Sequence, residues 1–155
     1  MTSVCGPTIL TVGHSNHLPE TFVRLLQLHG VTAVADVRSS PYSRAYPEFN
    51  RDSLSELLRE GGIAYVFLGR ELGARSKDPS CYKDGRVQYG RLASTDLFRK
   101  GLARVMSGAT SHRIALLCAE REPLALLGGG DRDVLDVVRR VARERGLLVV
   151  AQVAA

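Results

Sequence analysis

The sequence predicts a single α/β domain, spanning residues 1–155, built on an open and mainly parallel β-sheet. Short apolar runs typical of buried strands alternate along the chain with longer segments whose apolar residues recur at helical spacing. No internal repeat, linker or low-complexity segment interrupts this alternation. Strands that alternate with helices pair in parallel, so helices should cover both faces of the sheet through right-handed crossovers.

The first half of the chain supplies three predicted strands, residues 8–12, 31–37 and 63–68. The first helix begins at Pro19, which the first helical turn tolerates, and ends at Gly30 as a C-cap. The second helix follows Asn50 as its N-cap and ends at Gly61 and Gly62. The residues expected to form the two apolar helix faces are Phe22, Leu25, Leu26 and His29, and then Leu54, Leu57 and Leu58.

The second half begins with a long irregular stretch over residues 69–92, a length typical of functional or disordered loops. A helix from Thr95, a strand over 114–118, a last helix capped by Asp131 and a fifth strand over 147–153 follow it. The apolar faces of these helices are Leu97, Phe98, Leu102, Val105 and Met106, and then Val134, Leu135, Val138 and Val141. About five strands fit a three-layer open sheet of Rossmann-like or flavodoxin-like type.

Composition indicates an ordinary globular protein with reduced thiols. The formal charge is +5, and only three of the 21 basic residues are lysines. Arginine binds phosphate through two parallel hydrogen bonds, so the high arginine content favours a nucleic-acid or nucleotide partner. The alternative is that the arginine content reflects the base composition of the genome. The three cysteines match neither a disulfide framework nor a zinc pattern. No signal peptide or membrane-length apolar run is visible, so a cytoplasmic protein is expected.

Polar side chains follow four predicted strands at the point where each strand ends. They are His14, Ser15 and Asn16 after the first strand, Asp36, Arg38, Ser39, Ser40, Tyr42 and Arg44 after the second, Gly69 and Arg70 after the third, and Cys118, Glu120 and Arg121 after the fourth. The carboxyl ends of parallel strands meet at one edge of the sheet, where open α/β sheets bind their ligands. The convergence predicts a functional site at this edge.

Three residues at this edge are candidates for acid–base catalysis. The unperturbed pKa of a histidine lies near neutrality, so His14 can act as a general acid or base, or it can cap a helix. Asp36 can act as a general base, hold Arg38 in place, or form a purely structural ion pair, since residues two apart on a strand share a face. Glu120 is a stronger catalytic candidate than Cys118, because a thiol ending an apolar strand is typically buried and structural.

A second set of residues is suited to binding an anion: Ser15, Arg38, Ser39, Ser40, Tyr42, Arg44, Arg70 and Arg75. Arg38 and Arg44 can hold a phosphate while the serine hydroxyls add donors, or they can belong to a solvated loop. Arg70 and Arg75 would close over the anion from the long loop. Tyr42 can stack on a base or sugar, as can Tyr46, or these rings can pack beside a proline.

Several common site classes are absent from the sequence. Gly13-His14-Ser15 lacks the further glycines and the Lys-Ser/Thr pair of a phosphate-binding loop. A phosphatase-like loop would need an arginine at position 124, which is a leucine. The four histidines show no paired metal-ligand spacing. The sequence therefore predicts no metal and no other cofactor.

Four segments together resemble the domain of unknown function family 488: Thr11–Ser15, Ala35–Pro41, Leu68–Gly73 and Leu117–Pro123. The resemblance covers about residues 8–123. It implies no settled biochemical activity, and some members carry labels that suggest a DNA-repair glycosylase or lyase. The family usually continues with a Cys-His-Arg triplet that opens the last helix, where this chain has Ala125-Leu126-Leu127 followed by three glycines.

The leading interpretation is an enzyme-like domain that binds a phosphate-bearing ligand, either nucleic acid or a nucleotide, with a link to DNA repair. His14, Asp36 and Glu120 would supply the acid and base groups. A Schiff-base lyase has no obvious nucleophile, because no lysine lies in a recognised motif. The alternative is a non-catalytic binding or regulatory module that has lost the triplet. A thiol-based redox protein is a third interpretation, which requires a reactive Cys118.

Overall fold

A five-stranded parallel sheet forms the centre of the computed structural model, which describes residues 8–13, 18–42, 44–73, 75–118, 134–144 and 148–149. The strands are β1 (Thr8–Gly13), β2 (Ala33–Asp36), β3 (Ala64–Phe67), β4 (Tyr82–Lys83), β5 (Arg86–Val87), β6 (Ile114–Cys118) and β7 (Leu148–Val149). The helices are α1 (Pro19–Leu28), α2 (Arg51–Glu60), α3 (Gly69–Leu72), α4 (Tyr89–Ala93), α5 (Asp96–Gly108) and α6 (Val134–Glu144). Two 3₁₀ turns cover Pro47–Phe49 and Pro79–Cys81.

The sheet has the strand order β3-β2-β6-β1-β7, and β4 pairs with β5 as a separate antiparallel hairpin. Every pairing within the large sheet is parallel. The register sets Gly13 opposite Cys118 and Asp36 opposite both Leu117 and Phe67. The ends of β1, β2, β3 and β6 therefore lie level at one edge of the sheet.

Helices cover both faces of the sheet, which confirms the predicted three-layer α/β fold. On β6, alternate residues point to opposite faces, so Ala115 and Leu117 pack with α1 and α2 while Ile114 and Leu116 pack with α3 to α6. Phe22 and Phe49 meet edge to face at 5.2 Å on the first of these faces. Phe98, Leu102 and Val105 of α5 fill the second face.

The helix boundaries follow local chemistry. Pro19 occupies the first turn of α1, and Gly30 follows the C-cap residue with φ +71°, a left-handed conformation that glycine adopts without strain. Thr95 caps α5, since its Oγ1 accepts a hydrogen bond from the Phe98 amide at 3.2 Å. His29, predicted on the apolar face of α1, is instead the exposed C-cap residue.

The stretch 69–92 is more regular than the sequence suggested. It contains α3, the β4–β5 hairpin and α4, and it is anchored in the core by Leu72, Cys81 and Leu92. The hairpin turns at Asp84 and Gly85, which have φ of 53° and 75°. An Asp-Gly pair is a strong signal for such a two-residue turn, but the flanking strands of two residues each are too short to show a periodicity.

The predictions for the last helix and strand are tested only in part. α6 and β7 are present, whereas the proposed cap Asp131, the glycines 128–130 and Gly146 lie outside the described residues. In the ranges that the structure describes, every helix is too short or too polar to cross a membrane.

Candidate functional site

Asp36 ends β2 and is completely buried. Its Oδ1 accepts hydrogen bonds from the Arg38 backbone amide at 3.1 Å and from Arg38 Nε at 2.9 Å, and its Oδ2 accepts one from Arg38 Nη2 at 2.8 Å. The Arg38 side chain is only 3% exposed. The two residues therefore form the ion pair that the sequence analysis gave as one of the possible roles of Asp36. The planar guanidinium suits this two-pronged contact.

Tyr65, on the neighbouring strand β3, completes the hydrogen bonding of this carboxylate. Its hydroxyl donates to Asp36 Oδ2 at 2.5 Å. Burial raises the pKa of the Tyr65 phenol well above its usual value, and the hydrogen bond to Asp36 and the Asp36 charge raise it further. Asp36 thus accepts four hydrogen bonds from the residues that the structure describes, about as many as a carboxylate can take. These hydrogen bonds fix the end of β2. They also leave the Asp36 carboxylate with little capacity to accept a proton from a substrate.

Two glycines let α3 pack directly against the chain that leaves β2. A Cβ on Gly69 would lie 2.0 Å from the Arg38 carbonyl oxygen, and one on Gly73 would lie 2.3 Å from Ser39 Oγ. Ser39 Oγ in turn accepts a hydrogen bond from the Arg75 backbone amide at 3.0 Å. The Asp36–Ser40 and Leu68–Gly73 segments therefore form one packing unit.

A cleft of about 650 Å³ opens beside this unit, over the carboxyl ends of β2 and β3. Its lining residues are Ser39, Ser40, Gly69, Arg70, Glu71, Gly73, Arg75, Ser76, Lys77, Asp78, Leu92, Thr95 and Leu97. Arg70, Arg75 and Lys77 are exposed cations on one short segment. A volume of this size is within the usual range for small-molecule sites.

The two acidic residues of the cleft differ in their hydrogen bonding. Asp78 Oδ1 accepts from the Ser80 amide and hydroxyl, at 2.9 and 2.7 Å. The hydroxyl hydrogen bond, followed by the amide one, lowers the pKa of Asp78. Glu71 Oε2 is buried and has no hydrogen-bond partner among the residues that the structure describes. The Asp78 carboxylate therefore stabilises the turn that contains Ser80. Glu71 Oε2, in contrast, can still accept a hydrogen bond.

The predicted apolar face of α5 was wrong at Leu97. The sequence pattern assigned it to the buried side of α5, but the residue is 51% exposed and lines the cleft. Its neighbour Phe98 takes the core position at 1% exposure. Leu97 therefore gives the cleft an apolar wall, together with the buried Leu92.

The structure brings together some of the predicted ligand-binding residues. Ser39, Ser40, Arg70 and Arg75 line the cleft, while Arg38 is buried with Asp36. Tyr42 and Arg44 are exposed but are not part of the lining.

An arginine that the sequence analysis did not select lies close to the same loop. The Arg51 amide donates to the Pro41 carbonyl at 2.9 Å. Its guanidinium carbon lies 4.6 Å from the centre of the Phe67 ring, a cation–π contact. This contact ties the start of α2 to the end of β3.

His14, Ser15 and Glu120 lie outside the described residues, but the strands that precede them are described. Gly13 and Cys118 are register partners on the adjacent strands β1 and β6. The helix α1 that follows β1 and the helix α6 that follows β6 pack on opposite faces of the sheet. Such a change of face between neighbouring strands marks the crevice where open α/β sheets bind ligands.

Cys81 is buried and Cys118 is half-buried, and Cys118 Sγ donates a weak hydrogen bond to the Val12 carbonyl at 4.0 Å. Across the described ranges, no group of three or more histidine, cysteine or acidic side chains is arranged to hold a metal ion.

Besides Arg51, sequence reasoning missed Tyr65 and five polar residues of the cleft lining: Glu71, Ser76, Lys77, Asp78 and Thr95. Tyr65 and Asp36 are 29 residues apart, and only the pairing of β2 with β3 brings them together. Glu71 and Lys77 lie in the stretch 69–92, which the sequence analysis described as one irregular segment. The available signal for Glu71 was its place within the Leu68–Gly73 segment.

The fold and the cleft define a three-layer, Rossmann-like α/β domain with a polar site at the carboxyl edge of its sheet. The family model described as Domain of unknown function DUF488 matches residues 19–125, more than half of the chain. The chain belongs to this family. No curated protein and no solved structure matches it.

Proposed function

We propose that the domain binds a phosphate-bearing ligand, a nucleotide or a nucleic acid, in the cleft over β2 and β3. The observation that carries this proposal is the set of three exposed cations, Arg70, Arg75 and Lys77, on one wall of that cleft. Arginine and lysine are the residues that bind phosphate oxygens most strongly. Asp78 also lines the cleft, but two hydrogen bonds from Ser80 hold its Oδ1 within its own turn.

The serines of the facing segment support the same ligand chemistry. Ser39 Oγ accepts a hydrogen bond from the Arg75 amide, so its own proton remains to be donated. Ser40 is exposed beside it. Hydroxyl donors opposite guanidinium groups are a suitable surrounding for phosphate oxygens.

The hydrogen bonding of Asp36 supports binding rather than Asp36-dependent catalysis. A general base needs a free lone pair directed at the substrate, and Asp36 is buried with four donors around it. In this proposal Asp36 and Arg38 are positioning residues that hold the Ser39–Ser40 segment at the cleft. The non-catalytic module therefore has the stronger support of the two interpretations of the sequence.

A catalytic role is the second candidate, and it rests on the pairing of β1 with β6. His14 follows Gly13 directly, and Glu120 lies two residues after the register partner Cys118. These two residues are proposed as the acid and base of any reaction. The triplet variant Leu126→Cys, Leu127→His, Gly128→Arg should raise release of base from DNA only if those residues are competent.

The binding proposal is tested by calorimetric titration with ribose 5-phosphate, a mononucleotide, RNA, and single-stranded, duplex and abasic DNA, at low and moderate salt. We expect the double variant Arg75→Gln, Lys77→Gln to lower affinity about tenfold or more and to reduce the dependence on salt. The matched control is Arg24→Gln, Arg59→Gln, which removes two exposed charges from α1 and α2 on the opposite face.

The comparison of small phosphates with nucleic-acid polymers identifies which kind of phosphate-bearing ligand binds. Binding of small phosphates indicates a nucleotide pocket, whereas binding of polymers alone indicates a nucleic-acid surface. A preference for abasic DNA would support the link to DNA repair. Equal losses in the cleft variant and in the control would refute the proposal, because they would reveal a general effect of net charge.

A further inference from the structure

The phosphate proposal gives no role to Glu71, a lining residue of the cleft. A Cβ on Gly101 would lie 2.4 Å from Glu71 Cβ, so the stem of the side chain is pressed against α5. The buried Oε2 of Glu71 lacks a hydrogen-bond partner within the described ranges. Burying an acceptor without a donor costs free energy, and more so for a charged group. This oxygen therefore makes no stabilising hydrogen bond with the described part of the fold.

We infer that Glu71 accepts hydrogen bonds from the base of a bound nucleotide and selects guanine. This inference rests on the proposed function, since the phosphate of the same ligand would bind Arg70, Arg75 and Lys77. The last torsion of a glutamate is broad, so the carboxylate can turn toward a donor in the cleft at little cost. A ligand donor would then supply the partner that the folded chain lacks.

The residues around Glu71 limit which hydrogen-bond donor a ligand can present to it. An ionised carboxylate only accepts hydrogen bonds, so the ligand must present N–H or O–H groups. Three nearby cations disfavour a charged amine, which leaves a neutral donor. Guanine offers adjacent N–H donors on its Watson–Crick edge, whereas adenine sets an acceptor nitrogen beside its single amino group. Leu92 and Leu97 provide apolar contacts for a flat ring.

The test compares GMP, AMP and ribose 5-phosphate by calorimetric titration of the wild-type chain and of Glu71→Gln. We expect the wild type to bind GMP about tenfold more tightly than either other ligand, the discrimination that one good bidentate pair provides. Glu71→Gln should abolish this preference, while ribose 5-phosphate should bind at least as tightly as it binds the wild type because the variant removes a negative charge from the cleft. The control Glu60→Gln removes an exposed charge at the end of α2, outside the cleft lining, and should keep the preference.

The thermal midpoint provides a second measurement. Because Oε2 has no partner to lose in the described structure, Glu71→Gln should melt no lower than the wild type. A preference for GMP that survives in Glu71→Gln, or equal binding of GMP and AMP by the wild type, would overturn the inference while the phosphate proposal stands. No binding of any of the three ligands would also overturn the inference, and the phosphate proposal would fail with it only if RNA and DNA did not bind either.

Discussion

The buried pair of Asp36 and Arg38 makes a prediction about stability that is independent of any ligand. In Asp36→Asn the shape of the side chain is kept and its charge is lost. Arg38, 3% exposed, would then retain a buried guanidinium without a counter-ion. Breaking a buried pair in this way costs about 3–5 kcal/mol, a large part of the roughly 5–15 kcal/mol that stabilises a typical domain.

The expected change is large enough to measure by either thermal or urea unfolding. For a chain of this length, 1 kcal/mol lowers the melting temperature by about 2–4 °C, so Asp36→Asn should melt roughly 6–20 °C lower. Tyr65→Phe is the matched smaller perturbation. It removes one of the two hydrogen bonds to Asp36 Oδ2 and leaves the Arg38 contact at 2.8 Å, so a loss of about 1–2 kcal/mol is expected.

The same variant separates a positioning role of Asp36 from a direct one. If Asp36 acts only through Arg38 and the end of β2, the folded fraction of Asp36→Asn should bind ribose 5-phosphate with an affinity within about threefold of the wild type. A loss of binding with unchanged stability would contradict this reasoning, because it would mean that Asp36 touches the ligand. A decrease in the free energy of unfolding of less than about 1 kcal/mol would contradict the expected contribution of the ion pair to stability.

Two further predictions concern the same region. Because the pKa of Tyr65 is raised above its unfolded value of about 10, its contribution to stability is complete below that pH and is lost as the pH rises further. The alkaline fall in unfolding free energy should therefore be smaller in Tyr65→Phe, and phenolate absorbance should show one tyrosine titrating above the rest. Gly73→Ala, with its Cβ 2.2 Å from the Gly69 carbonyl oxygen, should cost about 1–3 kcal/mol in urea unfolding and weaken phosphate binding. Gly62→Ala, at φ +76° with open space around it, should cost about 1 kcal/mol and leave binding unchanged.

Much of the fold could be predicted because its elements carry local signals. The strand over 114–118 is a continuous apolar run that matches β6 at both ends, and Pro19, Gly30 and Thr95 mark helix ends by their own backbone or side-chain chemistry. Strand order depends on which apolar faces pack together, and no local pattern in the sequence encodes it. The stretch 69–92 was misjudged because its elements are two to five residues long, below the length at which a period can be recognised.

The candidate site was predictable where it depends on sequence spacing and was missed where it depends on tertiary packing. The two-residue separation of Asp36 and Arg38 made a contact between them one of the predicted alternatives, and the structure shows this ion pair. The place of Ser39 and Arg70 after successive strands predicted a shared edge, and both line the cleft. Tyr65 carries no sign of its role until β2 and β3 are paired. Leu97 fitted the helical pattern, and only the packing of α5 shows that it faces the cleft.

Backbone contacts from the sheet to the cleft link two segments that are distant in the sequence, Asp36–Ser40 and Leu68–Arg75. Asp36 holds the Arg38 amide, the Arg38 carbonyl leaves room only for glycine at position 69, and Ser39 Oγ holds the Arg75 amide. Each contact fixes backbone rather than a flexible side chain tip. The cationic segment is therefore positioned before a ligand arrives, which reduces the ordering entropy that binding would otherwise cost. The buried ion pair of Asp36 and Arg38 thus helps to hold the backbone beside the cleft without lining the cleft itself.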